Sequence, residues 1–374
     1  MIGRVSRRAW RARTDVFDTE LRDAVLGIVA SDAGVAIADV SIAIDGSARR
    51  GRSRVTSLTV QARGRRFGVI VKELVGAGSQ ATAPNARGRG GEPRPRLAGR
   101  GTFGDRYAHE HAALLRVERH FARLGDPRFE TVHALGYVPE RVALVTRRID
   151  GVNLREFLRA QRDGDSLAVV ERAGGWLRAF HDIPPGNAQD RHASAAALAA
   201  WISAICTFLG ENLEQRRYFE DLGAELAARA HRVLPAAMPM AVAHGDFAPR
   251  NVLTGRDGRV AVIDMAAVAR APIYEDLAYF VSSIRTSSVR SLTGGVLADD
   301  MADRRVEQAL LRGYFGADAI PLGPLRLYQV LVTLDKWWGT PPRLASGIVE
   351  RVAARVGASV ADRHFRRELE RLLS

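Results

Sequence analysis

Lysine is nearly missing from this chain of 374 residues: of its 55 Lys and Arg, only Lys72 and Lys336 are lysine. Cysteine is scarcer still. The single Cys206 excludes an internal disulfide and offers no partners for a zinc site, which agrees with a reducing compartment. No apolar run approaches the roughly 20 residues of a membrane span. The arginine-studded start MIGRVSRRAWRAR leads into acidic rather than apolar sequence, so no signal peptide is expected and a cytoplasmic location is. Aromatic residues make up 7% and are not interleaved with basic ones as in a nucleic-acid module. The net charge is +13, but residues 1–13 carry five Arg and no acid, and residues 76–104 carry five Arg and one Glu. Most of the excess therefore sits on segments that read as tails, and sequence-specific nucleic-acid binding is not expected.

What is present is ordinary for a folded protein, with 47% hydrophobic and 26% charged residues. The length suits two lobes rather than one small core. DVFDTELRDAVLGIVASDAG reads as an amphipathic helix ended by Gly34. VSIAI, RVTSLTVQA and RRFGVIVKEL then alternate or run apolar between Gly and Arg turns, as in a small antiparallel sheet, and Lys72 lies on the third. Residues 76–104 hold eight Gly and three Pro with almost no large apolar side chain, the composition of a flexible insertion. GRGTFG, at 99–104, matches G-x-G-x-x-G, yet PRPRLA before it is no strand, so the run lacks the context of a phosphate loop. DRYAHEHAALLRVERHFARLG returns to helical spacing, VALVTRRI is a further strand, and from DGVNLREFLRAQ the chain reads as mostly helical to residue 235. The expected architecture is α+β: a β-rich N-lobe over 1–148 that includes the insertion, and a helical C-lobe over 149–374.

The most informative stretch is AVAHGDFAPRNVLTGRDGRVAVIDMAAVARAPIYEDLAYF, residues 241–280. NVLTG and RVAVID read as a hairpin about the turn RDG. Such pairing sets Asn251 beside Asp264 at its open end, and Asp246 precedes Asn251 by five residues. Two carboxylates and an amide oxygen on one spot repel unless a hard cation joins them. Magnesium suits such a set, since it keeps several waters and completes its shell from substrate phosphates. A nucleoside triphosphate is then the natural partner, and Lys72 supplies a compact point charge where a guanidinium fork would not serve.

In this arrangement D-x-x-x-x-N from Asp246 to Asn251, then Asp264, with an earlier strand lysine and a helix glutamate, resembles the protein-kinase-like signature. With HGD for HRD and no APE segment, it is most similar to the aminoglycoside phosphotransferase and choline kinase superfamily, over about residues 40–340. That resemblance implies a two-lobed protein-kinase-like fold and transfer of the γ-phosphoryl of ATP, or GTP, to a hydroxyl of a small molecule with Mg2+. It makes Asp246 the base or orienter and Asn251 and Asp264 the magnesium ligands. Lys72 would contact the α and β phosphates and pair with Glu110 in HEHAALL, Glu118 being the neighbouring alternative. Thr146 to Ile149 match the hinge, where the backbone of Arg147 and Ile149 would meet adenine. His244 would brace the catalytic loop, and Asp276 would hold it from the next helix. Plain helix chemistry after Pro272 accounts for Asp276 equally well.

The departures from the family pattern also carry information. Met265 and Ala266 stand where Phe and Gly follow the metal-binding Asp, and twelve residues from Asp264 to Asp276 leave no room for a long activation loop. The phosphate-covering turn IDGSARRGRSRV lacks G-x-G-x-x-G, so Ser53 or backbone amides would cradle phosphate there, unless it is only an Arg-rich hairpin. Residues 281–374 hold ten acids against fourteen bases, which argues against a polycationic antibiotic as acceptor. A sugar, amino sugar, nucleoside or lipid-linked saccharide fits as well, the last giving the basic leader a membrane surface to meet. From another class, a nucleotide-binding pseudokinase would not need the intact Lys72, Asp246, Asn251 and Asp264 set. Trp337 and Trp338 suit a helix-packing pair better than a sugar platform. Oligomeric state is not legible.

Overall fold

Alternation of period two governs the first part of the folded chain. The computed structural model of the protein describes residues 17–50, 53–75, 94–97, 103–160, 164–255, 257–265, 269–287, 299–338 and 348–374. The basic leader and most of the 76–104 insertion, including the first four residues of GRGTFG, lie outside the described residues. Two compact units emerge: Met1–Ala81, Arg100–Phe157 and Val252–Ala266 form one, and Thr82–Gly99, Leu158–Asn251 and Ala267–Ser374 the other.

The first unit opens with α1 (Thr19–Ala33). Asp18 caps it by accepting the Leu21 N–H at 3.0 Å, and Gly34 ends it in the left-handed conformation at φ 61°. Next come β1 (Ser41–Arg50), β2 (Ser53–Ala62) and β3 (Arg65–Leu74), then α2 (Phe103–Leu124), β4 (Ala134–Val138) and β5 (Ala143–Arg147). Their antiparallel sheet has the order β1-β2-β3-β5-β4. Arg63 and Gly64, both at positive φ, make the two-residue turn between β2 and β3. Leu58, Val60, Val69, Val71 and Val145 point from one face of this sheet onto Leu21, Val25 and Val29 of α1, forming the unit's core. Lys72, one residue out of step with Val71, is therefore turned to the opposite face. The same unit holds a small sheet of order β10-β9-β6, built from β6 (Val152–Asn153), β9 (Val252–Thr254) and β10 (Val260–Val262). The expected hairpin forms, with Val252 opposite Val262, although the segment beginning DGVN is briefly extended before it turns helical.

The second unit is helical. It takes up the chain at Leu158, within α3 (Leu154–Ala160), and continues with α4 (Gly164–His181), α5 (Ala195–Asn212), α6 (Arg216–Val233), α7 (Tyr274–Arg285), α8 (Asp300–Phe315), α9 (Leu322–Trp338) and α10 (Ile348–Leu373). Three short strands, β7 (Gln189–Asp190), β8 (Met240–Val242) and β11 (Ala269–Pro272), pair in the order β7-β11-β8. Helices α4 and α8 approach until backbones touch: a Cβ on Gly313 would lie 1.8 Å from the Glu171 carbonyl, and one on Gly174 would lie 2.2 Å from that of Leu310. Among the described helices α5 alone is long and apolar enough to cross a membrane, but Leu198, Ile202, Ile205 and Leu209 are fully buried within the unit, as in a core helix. Trp337 stacks on Phe365 with centroids 5.5 Å apart and Trp338 meets Phe208 edge-on, so both tryptophans pack helices together.

A charged cluster ties α1 and α2 to the sheet. His133 meets Glu118 through Nδ1 and Asp32 through Nε2, the latter at 2.9 Å, while Arg147 donates to Asp32 at 2.9 Å. Carboxylates on both ring nitrogens are satisfied together only by an imidazolium. Burial opposes that charge, but the two acids outweigh it and raise the His133 pKa above its ordinary value. A raised folded pKa means that the contribution is whole below the unfolded value of about 6.5 and is lost as pH rises through the folded one. The melting-temperature advantage of the wild type over His133→Gln should thus be largest near pH 6 and shrink at alkaline pH. A difference that stays flat with pH would show that the imidazolium plays no such part.

Candidate active site

Lys72 is built into the first unit by strand periodicity, on the face of β3 away from the core. Its Nζ donates to both oxygens of Glu110, at 3.2 and 3.0 Å, and to Oδ1 of Asp264. Glu110 is 3% exposed. Burial works against the ammonium, yet the Glu110 and Asp264 charges outweigh it and hold the Lys72 pKa above its usual range. Tyr107 lies three residues before Glu110 on the same face of α2, with its ring 5.1 Å from Nζ and its hydroxyl bonded to Ser53 Oγ. Ser53, Lys72, Glu110 and Asp264 are thus drawn together by one helix face, two strands and the segment that follows β10. Glu118, the alternative partner for Lys72, is engaged by His133 instead.

Asp264 follows the β9–β10 hairpin at φ 66°, a left-handed conformation that Asp tolerates better than most side chains but still at a cost of about 1–3 kcal/mol. Such strain at a charged residue is common where a ligand or ion must be met at a set angle. At the end of β5, the Arg147 N–H donates to the His133 carbonyl at 2.9 Å and the Arg148 N–H to that of Gly68 at 2.9 Å, while the Arg147 side chain covers the Phe67 ring. Ile149, half-buried, lies two residues past the end of β5.

The second unit carries the HGD loop, and Asp276 organises it. Its buried carboxylate accepts the His244 N–H at 2.6 Å and the Gly245 N–H at 2.9 Å, and it also meets His181 Nε2 at 3.2 Å. Burial would raise the Asp276 pKa; the hydrogen bonds and charge of His181, with those at His244, more than offset it and lower the value. Of the two readings of Asp276, capping is not the one adopted: its oxygens face the loop, and α7 has no side-chain cap. His181 is fixed in turn by the Tyr314 hydroxyl, 2.8 Å from Nδ1. Gly245 sits at φ 76°, which only glycine adopts freely. His244 is fully buried between Phe180 and Phe247, and its Nδ1 accepts the Asp246 N–H at 3.3 Å. Its ring thus packs against the loop that its own backbone enters.

Asp246 emerges from this scaffold 7% exposed. The Asn251 amide nitrogen donates to its carbonyl at 2.8 Å and its carboxylate at 3.1 Å, which turns the amide oxygen the other way. Arg250 donates to Asp246 Oδ1 at 2.5 Å and to the Tyr279 hydroxyl. Burial opposes the Arg250 charge, but Asp246 outweighs it and raises the pKa. Tyr107, His181, Arg250 and Tyr279 were not singled out from the sequence. A signal existed for Tyr107, one turn from Glu110, and for Arg250, inside D-x-x-x-x-N; none existed for His181, 95 residues from Asp276.

Asp276→Asn tests the organising role. An amide places a donor group where two backbone N–H groups now require acceptors, so a loss of about 1–3 kcal/mol is expected. Faster hydrogen exchange at the His244 and Gly245 amides should accompany it. Unchanged exchange there would separate Asp276 from the loop.

Comparison with known proteins places these residues in context. A glucosamine kinase solved with glucosamine, ADP and inorganic phosphate matches 94% of this chain and 88% of its own at 17% identity, with a TM-score of 0.51. An ethanolamine kinase from Plasmodium vivax matches 89% of this chain and 84% of its own at 9% identity, with a TM-score of 0.50. At such identities the likeness establishes the fold, an antiparallel-sheet region followed by a helical region as in protein-kinase-like enzymes. None of the curated proteins matches the sequence. The APH model of the phosphotransferase enzyme family covers residues 91–314, more than half of the chain and all of the HGD loop, the hairpin and Asp276. The chain belongs to the phosphotransferase enzyme family.

Proposed function

We propose that this phosphotransferase moves the γ-phosphoryl group of ATP, or of GTP, to a hydroxyl of a small molecule such as a sugar, amino sugar or nucleoside, with Mg2+. The residues before about 148 form the nucleotide-covering lobe in this reading, and those after it the acceptor lobe. One observation carries it: a half-buried ammonium held by two carboxylates, Glu110 and Asp264, one of them on strained backbone after a hairpin. A lysine in that setting is poised for the inner phosphates of a nucleotide. A nucleotide donor also accords with the ADP bound to the glucosamine kinase of similar fold.

The donor chemistry fits magnesium. Asp264 supplies a carboxylate that already attracts a cation, and Asn251, its nitrogen spent on Asp246, offers an amide oxygen. When bound, the ion neutralises charge on the phosphates and orients them. Glu110 keeps the Lys72 ammonium extended toward those phosphates. Ser53 and the backbone at Arg147 and Ile149 would meet the phosphate tail and the base. Asp246 orients the acceptor hydroxyl and receives its proton as the new O–P bond forms, its carboxylate fixed in place by Arg250. His244 and Asp276 contribute by holding the loop.

Asp246→Ala should lower phosphoryl transfer by roughly 10²- to 10⁴-fold while nucleotide affinity changes little. Transfer at wild-type rate in a folded variant would refute the role. Lys72→Arg should cut nucleotide use at least about tenfold, since the planar fork cannot replace a point charge between two carboxylates. ATP-consumption assays across sugars, amino sugars, nucleosides and antibiotics read both, and no turnover on any acceptor would sink the reading.

A further inference from the structure

The face of the sheet that carries Lys72 holds a second charged cluster. Leu58, Val60, Val69 and Val71 turn to the core, so the period of two turns Ser57, Thr59 and Gly68 to the side of Lys72. Asp45, at the bulge of β1, lies with them: its Oδ1 accepts from the Thr59 hydroxyl at 2.8 Å and its Oδ2 from the Ser57 hydroxyl at 3.3 Å. Arg148, just past the end of β5, reaches the same acid, donating from Nη1 to Asp45 Oδ2 at 2.7 Å and to Ser57 Oγ at 2.9 Å. Glycine at 68 opens that path, since a Cβ there would lie 2.4 Å from Arg148 Nε. The side chain of Arg148 is 33% exposed. Among the described residues the Nε–Nη2 edge of its fork meets only Asp150, at 3.4 Å, and that acid is itself 90% exposed.

Along β3, four residues lead from Gly68 to Lys72, about 13 Å at the rise of a strand. Between them the same face presents the half-buried Ile70, and the half-buried Val55 of β2 stands opposite Lys72. A guanidinium, an apolar floor and an ammonium thus follow one another along one face. That order matches a nucleotide, whose base has polar groups on its edge and an apolar face, with the phosphates beyond the sugar. An edge made of N–H donors reads acceptors. Guanine sets two of them side by side, N7 and O6, whereas adenine sets its 6-amino donor beside N7 and would meet the fork donor to donor. Asp45 spends its oxygens on Thr59, Ser57 and Arg148, so it holds the fork in place rather than reading the base.

We propose that Arg148 is a specificity-determining residue for the nucleotide, holding the N7 and O6 edge of guanine so that the chain takes GTP in preference to ATP. This rests on the transfer reading above, in which Lys72 meets the phosphates. Calorimetric titrations of the full chain with GDP, ADP and inosine diphosphate, all with Mg2+, test it. Inosine diphosphate keeps N7 and O6 but lacks the 2-amino group of guanine. It should bind like GDP, and both about tenfold tighter than ADP, the discrimination expected of one two-pronged contact to a base. Arg148→Met should bring both down to the level of ADP, and Arg148→Lys, a point charge without the fork, should retain only part of the gap. ADP binding as tightly as GDP, inosine diphosphate falling to the level of ADP, or an unchanged gap in an Arg148→Met protein of normal melting temperature would each overturn the proposal. The wild-type order of the three decides the matter even if a variant melts early. Binding of none of them would sink the transfer reading together with this one, whereas equal binding of all three would sink this one alone.

Discussion

One ammonium between two carboxylates is the interaction on which the first unit's chemistry depends. Glu110 arrives from 38 residues away and Asp264 from 192, and Lys72 is the cation that makes their approach favourable. Two carboxylates facing each other in a setting as closed as that of Glu110 would repel strongly, whereas a shared cation converts the repulsion into a restraint on β3, α2 and the end of the hairpin. Taking the ammonium away would leave a buried acid uncompensated, a loss on the order of 3–5 kcal/mol. In the proposed function the same arrangement matters again, because a lysine held extended by acids needs no reorganisation to meet a second anion.

The second unit solves a different problem with one carboxylate. A loop that must present Asp246 cannot rely on strand or helix ladders for its own N–H groups, and Asp276 supplies the missing acceptors to His244 and Gly245. The left-handed turn at Gly245 lets both amides face the same acid. Aromatic rings at Phe180, Phe247 and Phe280 then fill the space behind the loop. Electrostatics and packing thus share the task, with burial strengthening every hydrogen bond that the carboxylate makes.

Arginine dominates the chain's cations, and its placement is selective. Arg191, Arg250 and Arg94 each answer an acid in the unit of Asp246, and Arg54 and Arg141 answer Glu73 in the sheet. A planar fork suits such paired roles, while Lys72 stands where a compact charge must lie among several partners at once.

Much was legible in the residues themselves. The period-two runs at 54–62 and 65–74 became β2 and β3 nearly to the residue, and Gly34 ended α1, because local sterics and a single buried face determine such elements. The D-x-x-x-x-N run and the hairpin after it could be read because their members are close in sequence. Strand β4 was not anticipated: ALGYV is short and owes its pairing to β5. Sequence by itself determined which side chains could carry charge chemistry and which local elements would bear them. Only the tertiary structure decided that Glu110 rather than Glu118 reaches Lys72, that His181 and Tyr314 stand behind Asp276, and that Arg250 joins Asp246 to Tyr279. Those choices depend on packing across tens to hundreds of residues, where a rotation of one helix selects a partner and no spacing along the chain records it.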